Sequence, residues 1–270
     1  VTHVIAIANQ KGGVGKTTTS VNLAASLAMS GGRVLLIDLD PQGNATMGCG
    51  VDKNEVELSL YDWLIEDKVL GEIVVRCNGS FDLLPANLDL TAAEVALMQR
   101  EGREFYIRQR LIGHVDGYEY VIIDCPPSLS ILTVNALIAA DGVLIPMQCE
   151  YYALEGLTAL LDTVDGVRAA ANPDLAIEGI LRTMYDPRNS LTRDVSRQLI
   201  QYFKDQVFRT VIPRNVRLAE APSHGLPAIL YDRTSRGAVA YMALAGELRQ
   251  KHASRKQAAG IVSRDIEEGQ

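Results

Sequence analysis

The residues best suited to chemistry stand together in "NQKGGVGKTTT", Asn9 to Thr19. Gly12, Gly13 and Gly15, with Val14 between them, let backbone N–H groups close around an anion. Lys16 adds a cation for the β- and γ-phosphates of a nucleotide, Thr17 offers a hydroxyl to magnesium, and Thr18 offers a further phosphate contact. The usual loop of this kind reads G-x-x-x-x-G-K-[ST]. Here Gln10 replaces the opening glycine, and a second lysine, Lys11, precedes Gly12. One lysine suffices to cradle phosphates, so the second needs a different task or must share that one.

Three carboxylates end apolar runs: Asp38 and Asp40 in "RVLLIDLDPQGN", and Asp124 in "YEYVIIDCPP". An apolar strand that ends in aspartate next to a phosphate loop can hold magnesium, and Asp124 is the choice for that role, acting through water. Asp40 is the choice for orienting or activating the attacking water. The alternative, open for Asp38 above all, is that these two side chains serve the turn or the helix start around Pro41 and Gly43.

The elements that must position these groups follow from the hydrophobic pattern. "VTHVIAIAN" reads as a strand running into the glycine loop, and "TTTSVNLAASLAMS" as the helix that leaves it. Further strands are expected at "RVLLIDLD", "FDLLPA", "YEYVIIDCPP", "DGVLIPMQ", "AIEGILRTMY" and "VFRTVIP". Helices are expected over 89–113, 129–140, 152–171, 191–203 and within 236–256, while "LSLYDWLIE" is a short amphipathic candidate in the otherwise unassigned region 44–80. Alternating strands and helices with uninterrupted apolar strands predict an α/β fold: one P-loop domain over 1–256, its twisted sheet mostly parallel and covered by helices on both faces. The residues 257–270 read as a flexible tail.

Composition narrows the classes. Cys49, Cys77, Cys125 and Cys149 have no C-x-x-C spacing, which argues against zinc and against a disulfide framework. No apolar run reaches the roughly 18 residues of a membrane span, and a cytoplasmic protein is expected. The net charge of −7 is unevenly spread: residues 182–256 carry 14 Lys and Arg against 6 Asp and Glu, a local +8. That asymmetry fits a basic surface for nucleic acid as well as a set of solvated helix faces.

Together "KGGVGKTT", "DLDPQGNAT", "VIIDCPPSL", "QCEYYALEGL", "TMYDPRNSL" and "IPRNVRLAEAPSHG" resemble the ParA/Soj chromosome-partition ATPases, from the first strand to about residue 250. The first and third motifs are shared with relatives such as MinD and the nitrogenase iron protein; the last three mark the Soj-like branch. The resemblance implies an ATPase using ATP and Mg2+ and a homodimer formed when ATP is bound. In that dimer the residue matching Lys11 crosses to the partner's phosphates and acts in catalysis beside Lys16 and Asp40. It also implies adenine contacts from Met184, Pro213 and Asn215, contacts to double-stranded DNA without sequence preference from Arg188 and Arg217, a ParB-type partner protein, and a nucleoid-associated location without membrane binding. A MinD-like membrane-associated regulator is the alternative, but the C-terminal segment offers only Leu248, Ile261, Val262 and Ile266 as bulky apolar residues.

Overall fold

A computed structural model describes residues 2–267. Eight strands, β1 (His3–Ile7), β2 (Val34–Asp38), β3 (Val75–Arg76), β4 (Asp82–Leu84), β5 (Tyr120–Asp124), β6 (Gly142–Gln148), β7 (Ala176–Tyr185) and β8 (Val207–Pro213), form one sheet in the order β3-β4-β2-β5-β1-β6-β7-β8. Every pairing is parallel except β3 with β4.

The strands read as continuous apolar runs because both faces of the sheet are covered. Val4 and Ala6 of β1, Leu35 and Ile37 of β2, and Val121 and Ile123 of β5 join one core. Their sequence neighbours Ile5, Ile7, Val34, Leu36, Tyr120 and Ile122 join the other, as the two-residue period of a strand requires. The helices α1 (Lys16–Met29), α2 (Asn44–Gly48), α3 (Leu60–Ile65), α4 (Leu70–Ile73), α5 (Leu90–Met98), α6 (Tyr106–Leu111), α7 (Ile131–Ala139), α8 (Ala153–Ala170), α9 (Ser190–Phe203), α10 (Val216–Glu220), α11 (Ala228–Tyr231) and α12 (Arg236–Glu267) complete the chain. The first core lies under α3, α5, α6, α7 and α8, the second under α1, α11 and α12.

Two expectations change. The segment 89–113 is not one helix: α5 stops at Met98, Gly102 takes a left-handed φ of 61°, and a 3-10 turn at Arg103–Phe105 leads into α6. The Arg103 guanidinium donates to the Met98 carbonyl, closing the end of α5 from the far side of the break. The final helix runs from Arg236 to Glu267, past the bound of 256 expected for it; 268–270 lie outside the described residues. In the unassigned region, "LSLYDWLIE" does hold α3, begun by a capping box in which Ser59 and Asp62 satisfy each other's backbone N–H groups.

At the sheet edge the β7–β8 register slips. Side chains take up the backbone groups left over: Arg182 donates to the carbonyls of Phe208 and Arg209, and the Glu247 carboxylate of α12 accepts from the N–H groups of Arg209 and Thr210. The exposed edge strand is thereby partly closed to further pairing.

Candidate nucleotide site

Strand register brings the site together. Ile7 and Asp38 both pair with Asp124, so the loop entrance and two of the carboxylates leave the sheet in one row at its C-terminal edge, where open α/β sheets bind ligands. Gly13 and Gly15 have φ of 74° and 88°, which an L side chain adopts only under strain, and they turn the loop so that α1 starts over it. The first turn of α1 carries no acidic residue and no side-chain cap, leaving its N–H groups available to an anion. Asn9 fixes the loop at its start, accepting from the Lys11 N–H and donating to the Pro146 carbonyl of β6. Thr183 of β7 fixes it further on through a bond to the Val14 carbonyl.

Two adjoining cavities open on this loop. One, of about 290 Å³, is lined by Gly12, Gly13, Gly15, Lys16, Thr17, Thr18, Asp40, Asn44, Pro127 and Met184. The other, about 440 Å³ and largely apolar, includes Gly15, Thr18, Met184, Pro213, Asn215 and Tyr241. A charged pocket beside an apolar one suits a nucleotide, with phosphates in the first and base in the second. Met184 lines both and is held at a φ of 47°, uncommon for a residue with a side chain.

The carboxylates have distinct surroundings. Asp124 is fully buried; Oδ1 accepts from Ser20, while Oδ2 has no partner. Burial and the neighbouring Asp38 push its carboxyl up, against the Ser20 hydrogen bond and the nearby Thr17 hydroxyl. An orphaned buried oxygen beside the Thr17 hydroxyl is what a water-bridged magnesium ion would satisfy, so the residues fit ATP with Mg2+. Lys16 Nζ donates to the Lys11 carbonyl, and burial lowers its pKa while Asp124, Cys125 and Asp40 raise it. Asp38 is consumed by structure: Oδ2 accepts from the N–H and hydroxyl of Thr46 and Oδ1 from the Asp40 N–H. Asp40 uses one oxygen in a turn to the Gln42 N–H and also lines the phosphate cavity.

Lys11 is not among the residues lining that cavity. Its Nζ pairs with Glu150 Oε2 at 2.7 Å, with the two side chains 42% and 45% exposed. Arg188 and Arg217 follow β7 and β8 at the same edge of the sheet. Both are engaged: Arg188 grips Asp186 through Nε and Nη2, and Arg217 reaches Glu220 at 2.7 Å and Asp232 at 3.3 Å. Three aspartates of the basic segment are thus engaged: Asp186 on Arg188, Asp232 on Arg217 and Asp194 on Arg197. Behind the site two backbones touch: a Cβ on Gly225 would lie 2.5 Å from the Gly50 Cα, and one on Gly50 would lie 2.9 Å from the Gly225 carbonyl oxygen. All four cysteines are buried and free, and no cluster among the described residues has the makings of a metal site built from His, Cys, Asp and Glu.

Glycine loop, helix N-terminus, buried lysine and strand-end aspartates on a parallel sheet define a P-loop nucleotide hydrolase. Residues 2–177 match the AAA domain family. The chain is 54% identical over 246 residues to the sporulation initiation inhibitor protein Soj of Bacillus subtilis, covering 91% of this chain and 97% of that one. It is 48% identical over 257 residues to the chromosome partitioning protein ParA of Caulobacter vibrioides, covering 94% and 96%. Among solved structures, one named cobyrinic acid a,c-diamide synthase from Mycobacterium smegmatis, with bound ADP and magnesium, superposes with a TM-score of 0.83 at 39% identity, covering 94% of this chain and 96% of that one. The chain belongs to the ParA/Soj family of P-loop ATPases. It is an ATPase, and its cofactors are ATP and Mg2+.

Sequence reasoning missed the groups that hold the site in place. Ser20 belongs to none of the motifs, while Asn9, Thr183 and Glu150 lie inside motifs but without a role read from them. The one available signal for Glu150 was a carboxylate after the β6 strand end, on the loop's side of the sheet.

Proposed function

We propose that the chain is a partition ATPase whose DNA binding is switched by nucleotide. Lys16, Thr17, Thr18 and the glycine N–H groups hold the phosphates; Met184, Pro213 and Asn215 flank the base; Thr17, and Asp124 through water, hold magnesium, which neutralises charge on the phosphates. Asp40, lining the phosphate cavity with a carboxylate oxygen to spare, orients the attacking water. Two ATP-bound copies join, each placing Lys11 on the other's phosphates, and the pair presents Arg188 and Arg217 to double-stranded DNA of any sequence. A ParB-type protein stimulates hydrolysis and so releases the DNA, giving a cytoplasmic, nucleoid-associated protein.

The observation that carries this reading is the placement of the two lysines. Lys16 already occupies the chain's own phosphate cavity, whereas Lys11 stands outside it, half-exposed and paired with a carboxylate that it can leave. A second cation brought from another chain would stabilise charge on the transferring phosphoryl group. The names of the Bacillus and Caulobacter relatives support the partition role. The mycobacterial name points instead to amide synthesis. If that nitrogen were drawn from glutamine, an accessible nucleophilic cysteine would be needed, and the cysteines here are buried.

Sedimentation with a slowly hydrolysed ATP analogue, for the wild type, Lys11→Ala and Asp40→Ala, tests the proposal. Lys11→Ala is expected to bind nucleotide but remain monomeric, and Asp40→Ala to dimerise without turnover. Cosedimentation with two unrelated duplexes and with anionic vesicles separates DNA from membrane binding. A wild-type dimer in Lys11→Ala, or capture by vesicles alone, would defeat it.

A further inference from the structure

The helix α5 is apolar on two sides although only one side is covered. Leu90, Ala93 and Leu97 pack inward. Leu88, Val95 and Met98 are 64%, 60% and 53% exposed, and Ala92 lies exposed between them. Leu88 sits in the turn that leads into α5 and the other three on the helix itself; recurring every three or four residues, they line one side beside the exposed Thr91, over about 15 Å at the helical rise. Single exposed apolar residues are ordinary on a soluble protein, but several aligned along one side of a surface helix mark a contact.

The charge around the stripe says what kind of contact. Residues 52–104 contain 12 Asp and Glu against five Lys and Arg, a net −7 equal to that of the whole chain. The lobe's arginines are spent internally: Arg100 donates to the Ile65 carbonyl and lies over the Tyr106 ring, Arg103 closes α5 at Met98, and Arg76 pairs with Asp82. Glu94 and Glu101, on α5 and just beyond it, have no cationic partner among the described residues, nor has Glu66 at the end of α3. An apolar seam with unpaired acids beside it is complementary to a basic amphipathic helix. It opposes a second copy of itself, because two such lobes would bring like charges together.

We infer that the Leu88–Ala92–Val95–Met98 stripe is a docking surface for a basic, amphipathic helical segment of a partner protein. The segment lays one apolar residue per turn along α5 and sets its lysines or arginines against Glu94, Glu101 and Glu66. This inference needs neither the DNA face nor the ATP-bound dimer.

The test uses the full chain saturated with Mg-ADP and two fluorescein-labelled 18-residue peptides of identical leucine, lysine and alanine content. In one, leucines follow i, i+3, i+4, i+7 spacing; in the other they are scattered around the helix. The first is expected to bind at least tenfold more tightly than the second. Val95→Ser/Met98→Ser and Glu94→Gln/Glu101→Gln should each weaken it at least tenfold, with Mg-ADP affinity and melting temperature unchanged because Val95, Met98 and Glu101 are exposed and Glu94 is half-buried without a cationic partner. Equal binding of the two peptides, or equal affinity in the serine variant, would overturn the inference. So would concentration-dependent self-association of the wild type that the serine variant loses, since the stripe would then belong to a second copy.

Discussion

Lys11 Nζ lies 2.7 Å from Glu150 Oε2, which ties the lysine outside the phosphate cavity to the loop after β6. If Lys11 must reach another chain's nucleotide, each subunit breaks this pair on dimerising. A half-exposed pair is worth about 1 kcal/mol at most, so losing two opposes the dimer by up to roughly thirtyfold. Glu150→Gln is expected to tighten the ATP-dependent dimer within that limit, measured by sedimentation against concentration. A weaker dimer would show that Glu150 serves the interface rather than the free monomer.

Gly12 separates demands made within the chain from demands made outside it. Unlike Gly13 and Gly15 it has no positive φ, and a Cβ there would meet nothing within 4 Å. Gly12→Val is therefore expected to fold with a melting temperature near wild type and to fail in ATP-dependent dimerisation. A variant that melted far lower would place the constraint inside the monomer.

The carboxylate of Asp186 sits on Arg188 much as a phosphate would, through two parallel N–H bonds at 3.0 and 2.9 Å, and Arg188 holds it down to about 2. On the proposed function, DNA would have to displace it. Asp186→Asn is expected to tighten binding to any duplex by roughly two- to fivefold, while Arg188→Glu and Arg217→Glu weaken it and flatten its salt dependence. If Arg188→Glu abolishes binding while Asp186→Asn changes nothing, the arginine contacts DNA but the carboxylate does not compete.

At the opposite end of the sheet Glu178 of β7 is buried against three residues of α12: His252 at 3.1 Å, Arg255 at 3.0 Å and Lys251 at 3.8 Å. Burial pushes its carboxyl up, but the close approach of His252 and the charges of Arg255 and Lys251 outweigh this and leave it below the usual range. Its contribution to stability is therefore present above the ordinary glutamate pKa and lost as pH falls through the depressed folded value. Glu178→Gln should cost about 2 kcal/mol near neutrality, less than a fully buried pair because Lys251 and Arg255 are partly exposed. The gap from wild type should close in acid. A constant difference in chemical denaturation from pH 7 to 3 would assign the loss to packing instead.

The sheet was legible because buried parallel strands must be apolar along their whole length, as in "RVLLIDLD" and "YEYVIIDCPP". The break within 89–113 was not. One glycine in a periodic run is compatible with a continuous helix, and what ends α5 is Arg103 folding back on Met98 after Gly102 turns left-handed. The phosphate loop was readable because local glycines and a helix start make it. Its supports were hidden, since Lys11–Glu150, Ser20–Asp124 and Val14–Thr183 are 139, 104 and 169 residues apart in the chain.

The contact of Gly50 with Gly225 joins the segment that follows Asp40 to the one that follows Arg217, main chain against main chain. Side chains at most internal contacts can change rotamer and absorb a shift of a few tenths of an ångström. Two glycines have nothing to rotate. A displacement of the 41–50 segment toward its neighbour would meet the 217–225 segment as a rigid stop, so the one could not move that way without carrying the other.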